Sequence, residues 1–120
     1  MYKIENKIYP CNTSLAMKFI GGKWKSVILI HLIDKPKRYN ELKKEITIIT
    51  ERTLSLQLKQ LEKDGLINRK VHTKKPPLKV VYTLTYFGKK VIPVLLEISK
   101  LGSAIAKTHK DVNVIEMSAC

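Results

Sequence analysis

The chain has 120 residues, a length that suits one compact domain, and 44% of them are hydrophobic, which is enough for a core. No stretch approaches the roughly 18 uninterrupted apolar residues of a membrane-spanning helix, so we expect no such helix. Lysine and arginine total 23 against 10 acidic residues, so the formal net charge of +13 indicates a polyanionic partner.

The two cysteines and three histidines form no recognisable motif. Cys11 and Cys120 stand at opposite ends of the chain, and no CxxC or Cys/His cluster predicts a disulfide framework or a zinc site. We therefore expect no metal and no cofactor. The first ten residues lack the apolar centre of a signal peptide, so we expect a cytoplasmic protein with free thiols.

Two helices are predicted before residue 36. The first begins at a capping Thr13 or Ser14 and ends at the glycine pair 21–22. The second runs from Lys23 to Ile33, because its apolar residues recur at helical spacing and Pro36 follows. His31 lies on or beside its buried face, where a packed histidine is expected rather than a functional one.

Residues 39–64 predict a helix-turn-helix. Tyr39 to Ile46 has apolar residues three or four apart, and a short turn follows it. Thr50 is a favourable N-cap for a second helix, which continues to Asp64 and stops at Gly65. One stripe of this second helix must face the core, and it comprises Leu54, Leu58 and Leu61.

The sequence pattern changes after residue 65. Residues 66–85 predict a two-stranded wing, because apolar Leu66, Ile67 and Val71 precede a loop-forming cluster and residues 80–85 then alternate as in a strand. Lys74 and Lys75 lie in that cluster, at the tip of the wing. Residues 86–109 predict a long helix, which Pro93 should kink or whose true start it should mark. Its apolar stripe is longer than one small domain readily covers, which predicts a dimer face with packing within the chain as the alternative. The residues of this face are Leu15, Phe19, Ile20, Val91, Val94, Leu95, Ile98, Leu101 and Ile105.

The polar face of the second helix-turn-helix helix is the candidate nucleic-acid surface. Recognition helices contact bases mainly from their N-terminal half, which singles out Arg52, Thr53, Ser55 and Leu56, with Lys59 on the same side. Leu56 would suit a thymine methyl group, although a single exposed leucine is also common, and an ordinary solvated face is the alternative. Cations expected to contact phosphates around this helix are Lys23, Lys25, Lys35, Lys37, Arg38, Arg69, Lys70, Lys74, Lys75 and Lys79.

Four stretches resemble the HxlR-type family of bacterial winged-helix regulators, a branch of the MarR-like fold. They are IGGKWKSVILIHL, RYNELKKEI, ITERTLSLQLKQLEKDGLINRKV and PPLKVVYTLTYFGKKVIPVL. The match covers residues 11–102 of a single domain that spans 1–120. The resemblance implies a mainly α winged helix-turn-helix with a small β-hairpin wing, which dimerises through its terminal helices. It also implies a homodimer on a pseudo-palindromic double-stranded DNA operator, usually as a repressor, associated with the bacterial nucleoid when bound.

The resemblance also singles out Cys11. Many relatives respond to electrophiles, quinones or hypochlorite through a cysteine just ahead of the first helix, and Cys11 stands at the matching position. The positive end of that helix and the basic protein favour the reactive thiolate form. Cys120 of the second subunit is a candidate partner for a disulfide. The alternatives are a Cys11 tucked beneath the dimer helix and an inert Cys120.

Two other classes of function remain open. A nonspecific architectural protein would bind nucleic acid through charge alone, and it would not prefer its own promoter over bulk DNA. An enzyme is not predicted, because Gly21-Gly22-Lys23 lacks the spacing of a phosphate-binding loop. Cys11 has no histidine partner visible in the sequence, although pairing with His31 in space stays open.

Overall fold

A computed structural model describes residues 1–116, which form five helices and five short strands around one core. The elements in chain order are β1 (Tyr2–Ile4), β2 (Lys7–Tyr9), α1 (Asn12–Ile20), α2 (Lys25–His31), β3 (Lys37–Arg38), α3 (Tyr39–Glu45), α4 (Glu51–Lys63), β4 (Ile67–Val71), β5 (Val80–Leu84) and α5 (Tyr86–Thr108). The predicted fold, a mainly α winged helix-turn-helix with a small sheet, is confirmed.

Local capping fixes the ends of the helix-turn-helix. The backbone N–H of Arg38 donates to the Glu41 carboxylate at 2.9 Å, which starts α3. The Thr50 hydroxyl accepts the Thr53 backbone N–H at 3.1 Å and starts α4. Gly65 ends that helix with a φ of +79°, a conformation that favours glycine. The two helices therefore begin and end where the capping residues of the sequence place them.

The core lies between α2, α3, α4 and the sheet, and the first half of α5 covers it. The leucine stripe of α4 is buried as predicted. Two residues expected in the dimer face are buried in this core instead: Leu95 is only 1% exposed, and Ile20 is buried beside it. That part of the prediction was wrong, because α5 packs its Leu95 side against α2 and leaves other apolar residues outward.

The wing belongs to a three-stranded antiparallel sheet with the order β3, β5, β4. β4 and β5 pair from Ile67 opposite Leu84 to Val71 opposite Val80. β3 has two residues, and its Lys37 pairs with Tyr82 of β5. This third strand, which the sequence did not predict, ties the start of α3 to the base of the wing.

The N-terminus folds into a hairpin that the sequence also did not predict. β1 and β2 pair with Tyr2 opposite Tyr9, and the Tyr2 hydroxyl hydrogen-bonds to the Asn12 side chain. Cys11 is the N-cap residue of α1, without a side-chain hydrogen bond, so the predicted caps two and three residues later were wrong. β2 ends at Tyr9, so Pro10 alone separates the hairpin from the N-cap residue Cys11.

The remaining helix boundaries differ modestly from the prediction. α2 covers Lys25–His31, which is shorter at both ends than expected, since its β-branched residues weaken the helix and Pro36 follows. α5 runs continuously through Pro93, so this proline does not mark its start. In the part of the chain that the structure describes, no helix combines the length and apolar character needed to cross a membrane.

Candidate nucleic-acid interface

One face of α4 is exposed along its whole length. Arg52, Ser55, Leu56 and Lys59 all face outward, and Thr53 is half-buried at the edge. Leu56 is 51% exposed, although the other three leucines of the helix are buried. These exposed residues recur every three or four positions, so they lie on one side of the helix, opposite the core.

Arg52 is free to bind a ligand. Among residues 1–116, no carboxylate forms an ion pair with its guanidinium group. Its planar donors therefore remain available for a base edge or a phosphate. The structure thus brings the predicted recognition residues together on one accessible surface.

Tyr39, at the start of α3, braces the first turns of α4. Its hydroxyl donates to the backbone carbonyl of Glu51 at 3.0 Å and accepts from the Ser55 hydroxyl at 3.3 Å. Sequence reasoning placed Tyr39 among the apolar residues of its helix and missed this polar contact. The sequence carries no signal for this contact, because the helix-turn-helix turn separates Tyr39 from Glu51 and Ser55.

The wing tip is exposed and basic. Lys74 and Lys75 both lie in the loop between β4 and β5, and their side chains face solvent. The Thr73 hydroxyl donates to the Pro77 carbonyl at 3.2 Å and accepts the Lys79 backbone N–H at 2.9 Å. These bonds close the base of the loop, so the two lysines project from a formed turn.

Arg38 is exposed at the N-cap of α3, but its neighbour Lys37 is not. The Lys37 side chain is 4% exposed, and its ammonium group lies 2.7 Å from Glu45 and 3.5 Å from Asp34. The expected phosphate contact by Lys37 is therefore wrong. Lys37 neutralises carboxylates inside the protomer, because β3 directs it inward.

The same carboxylate of Glu45 also contacts His31, whose Nδ1 lies 3.2 Å away. His31 is buried, as expected for a packed histidine. Burial alone would lower the pKa of Lys37, but the hydrogen bond and charge of Glu45 outweigh it and raise this pKa above 10.5. In turn the hydrogen bond from Lys37 lowers the pKa of Glu45 below 4.5. The cluster is a structural ion pair that joins α2, β3 and α3.

The far end of α4 is held by two ion pairs. Lys18 of α1 lies 2.5 Å from Asp64, the residue at the C-cap of α4. Glu5, in the turn of the N-terminal hairpin, lies 3.4 Å from Lys63. Consequently both α1 and the hairpin contact the last turn of the helix that carries the candidate recognition residues.

Cys11 is exposed, between the end of β2 and the start of α1. The alternative of a cysteine tucked beneath the dimer helix concerns the homodimer, and it stays a prediction. Cys120 lies outside the residues that the structure describes. Within residues 1–116, no group of three or more His, Cys, Asp or Glu side chains is arranged to hold a metal ion.

The terminal helices leave a large apolar surface uncovered. On α5, Leu101 is 59% exposed, and it is accompanied by exposed Val94, Leu96, Ile98 and Ile105. Between α1 and α5 lies an open groove of about 480 Å³, whose walls include Leu15, Phe19 and Val91. Phe19 and Phe87 meet edge to face here, with ring centres 5.7 Å apart. This surface contains most of the predicted dimer face.

The family model for the HxlR-like helix-turn-helix matches residues 19–110, which is most of the chain. The chain belongs to this family. Among its relatives is YdeP, an uncharacterised HTH-type transcriptional regulator of Bacillus subtilis (strain 168), at 48% identity over 92 residues. The aligned region covers 77% of this HxlR-like chain and 71% of YdeP. The protein is accordingly a helix-turn-helix transcriptional regulator, a class that binds DNA.

Solved structures of similar regulators share the fold. The redox regulator HypR in its oxidised form has 40% identity and a TM-score of 0.73, covering 78% of this HxlR-like chain and 96% of HypR. The reduced form of HypR has 39% identity and a TM-score of 0.74, covering 79% of this HxlR-like chain and 93% of HypR. The reduced form of the transcriptional regulator YodB of B. subtilis has 30% identity and a TM-score of 0.66, covering 87% of this HxlR-like chain and 98% of YodB.

Proposed function

We propose that this HxlR-like regulator binds double-stranded DNA of a particular sequence as a homodimer and represses transcription. The observation that carries the proposal is the outer face of α4, where Arg52 is surrounded by exposed polar residues and Leu56. Arg52 forms no ion pair with any of the residues 1–116. A helix of this kind fits the major groove, where it can contact base edges. Repression is proposed because it is the more usual role in the family.

The residues of the interface divide into two roles. Arg52, Thr53, Ser55 and Leu56 face the bases, since they occupy the N-terminal half of α4. Phosphate contacts are assigned to Lys59, Arg38, Lys74 and Lys75, because exposed flexible cations position a protein without specifying sequence. The +13 charge supports such backbone contacts.

Sequence specificity is tested by competition between selected operator DNA and bulk DNA at two salt concentrations. Wild-type protein should prefer the operator by about 10³-fold or more. Arg52→Ala should cost about 1–3 kcal/mol on the operator and much less on bulk DNA. Lys75→Ala should weaken binding to operator and bulk DNA alike, and it should reduce the slope of log K against log salt concentration by about 1.

A matched control is Lys100→Ala, which removes the same charge from α5, where Lys100 pairs with Glu97 at 3.1 Å. It should leave operator binding unchanged. Equal affinity of the wild type for operator and bulk DNA would instead identify a nonspecific architectural protein.

The dimer is proposed to form through α1 and α5. The exposed apolar residues of α5 support this, because a contiguous apolar patch of this kind usually marks an interaction surface. Two α4 helices would then address half-sites about one helical turn apart, or a multiple of that. Light scattering should give a dimer for the wild type and a monomer for Leu101→Glu. A monomeric wild type at micromolar concentration would refute the dimer.

Redox control through Cys11 is the second part of the proposal. It is supported by the exposure of Cys11 at the start of α1 and by the similarity to the redox regulator HypR. An oxidant such as diamide takes two thiol hydrogens and leaves a disulfide. Operator affinity should therefore change after diamide treatment, and Cys11→Ser should abolish this response.

Cys120→Ser serves to identify the second thiol. If Cys120 of the second subunit is that thiol, the variant should lose the covalent dimer on a non-reducing gel. Unchanged operator binding by oxidised wild-type protein would contradict sensing by Cys11.

A further inference from the structure

The hydroxyl groups at the start of α4 are linked in two short chains of hydrogen bonds. A backbone carbonyl can only accept a hydrogen bond, and a hydroxyl has a single proton. A hydroxyl that donates to a backbone carbonyl can therefore only accept from its next neighbour. This rule fixes the direction of the chain that ends at Ser55, which faces the proposed DNA surface.

The first chain starts at the carbonyl of Glu51. This oxygen accepts from the Tyr39 hydroxyl at 3.0 Å, which uses the only proton of that group. At 3.3 Å from Ser55, the Tyr39 oxygen must therefore act as the acceptor, and the Ser55 hydroxyl must donate. The exposed Ser55 oxygen is left with lone pairs only.

The second chain, at Thr53, has no fixed direction. The backbone N–H of Thr53 donates to the Thr50 hydroxyl oxygen at 3.1 Å, and the two hydroxyl oxygens lie 3.0 Å apart. Either hydroxyl can donate to the other, because an oxygen that accepts one hydrogen bond still has a second lone pair. The polarity that Thr53 presents to a ligand is therefore not preset.

We propose that the first chain presets how α4 discriminates between bases, because it leaves Ser55 as a hydrogen-bond acceptor. This inference rests on the proposed sequence-specific binding. In the major groove only adenine and cytosine present an amino donor, whereas thymine and guanine present acceptors. Ser55 therefore selects adenine or cytosine on the contacted strand.

Tyr39 is a positioning residue in this scheme, because it acts on DNA through Ser55. Rotating Ser55 to donate outward would break its bond to Tyr39. Without the Tyr39 hydroxyl that restriction disappears, and Ser55 could turn its proton to thymine or guanine. Removing the hydroxyl should thus relax base preference at one position of each half-site without weakening binding to bulk DNA.

The test measures operator affinity with each of the four bases placed at every position of the half-site. Wild-type protein should show one position where adenine or cytosine is preferred about fivefold, the worth of one ordinary hydrogen bond. Ser55→Ala should abolish that preference, and Tyr39→Phe should reduce it while affinity for bulk DNA stays constant. Tyr86→Phe is the matched control, since Tyr86 lies exposed on α5 and should change nothing. Thermal unfolding confirms that each variant is folded.

A second measurement changes the DNA and leaves Tyr39 in place. At the selected position, the preferred base is replaced by an analogue that lacks only its amino group. Wild-type affinity should fall about fivefold, whereas Ser55→Ala should bind both operators equally.

Three results would overturn the inference: a Ser55-dependent preference for guanine or thymine, a preference that persists in Tyr39→Phe, or full wild-type affinity for the amino-free operator. A wild-type protein without any preferred sequence is a different result, because it refutes the proposed function as a whole.

Discussion

A methyl group added at Gly88 has no space in this fold. A Cβ there would lie 2.1 Å from the carbonyl oxygen of Leu66 and 3.3 Å from a methyl group of Leu84. The same carbonyl accepts the backbone N–H of Thr85 at 3.1 Å, so α5 cannot shift away without losing this bond. We expect Gly88→Ala to cost about 3 kcal/mol in overpacking and lost hydrogen bonding, offset by about 1 kcal/mol of helix propensity.

The resulting net loss of about 2 kcal/mol corresponds to a Tm about 8 °C lower for a chain of this size. Gly102→Ala is the matched control in the same helix, because a Cβ there meets no atom within 4 Å. It should gain about 1 kcal/mol and raise Tm by about 4 °C. Circular dichroism melts at one fixed protein concentration measure both. A Gly88→Ala protein that melts at or above the wild-type temperature would show that this packing argument is wrong.

Three further predictions concern stability. Thr50→Ala removes the cap of α4 and should cost about 1 kcal/mol in urea unfolding, whereas a loss below about 0.3 kcal/mol would contradict the capping role. Leu54→Ala should lower the free energy of unfolding by about 2–5 kcal/mol, whereas Leu56→Ala on the exposed face should change it by less than about 0.5 kcal/mol. Similar losses for the two variants would mean that the buried and exposed faces of α4 are wrongly assigned. Glu45→Gln should be less stable than wild type at pH 7, because buried Lys37 then loses the nearer of its two carboxylates. The pKa of Glu45 is lowered in the folded state, so its contribution is lost as the pH falls below 4.5, and acid titration should narrow the difference. If the difference in the free energy of unfolding between the two proteins stayed constant with pH, Glu45 would not be the group responsible.

The helix-turn-helix could be predicted from the sequence because its signals are local. A capping Thr50, a leucine stripe and a terminal Gly65 lie within one continuous segment, and each acts on its immediate neighbours. The alternation along β5 and the loop-forming residues before it are similarly local signals, and they predicted the wing. The exposed residues of α4 followed from the same helical geometry that places its leucines inward.

The parts that could not be predicted depend on contacts between distant residues. β3 has two residues, too few for an alternating pattern, and it exists because β5 offers it a partner. Lys37 resembles a surface lysine in the sequence, and only the fold brings Glu45 and Asp34 around it. The hydroxyl of Tyr39 acquires its role in the same way, since the helix-turn-helix turn sets its distance from Glu51 and Ser55.

Contacts from other elements hold α4 at both of its ends. Tyr39 holds its first turn, and Lys18 with Glu5 holds its last. Because the second support comes from α1 and the hairpin, Cys11 lies at the joint between the two elements that carry it. A displacement of α1 or of the hairpin would therefore act on the last turn of α4, while Tyr39 holds the first turn, next to Arg52.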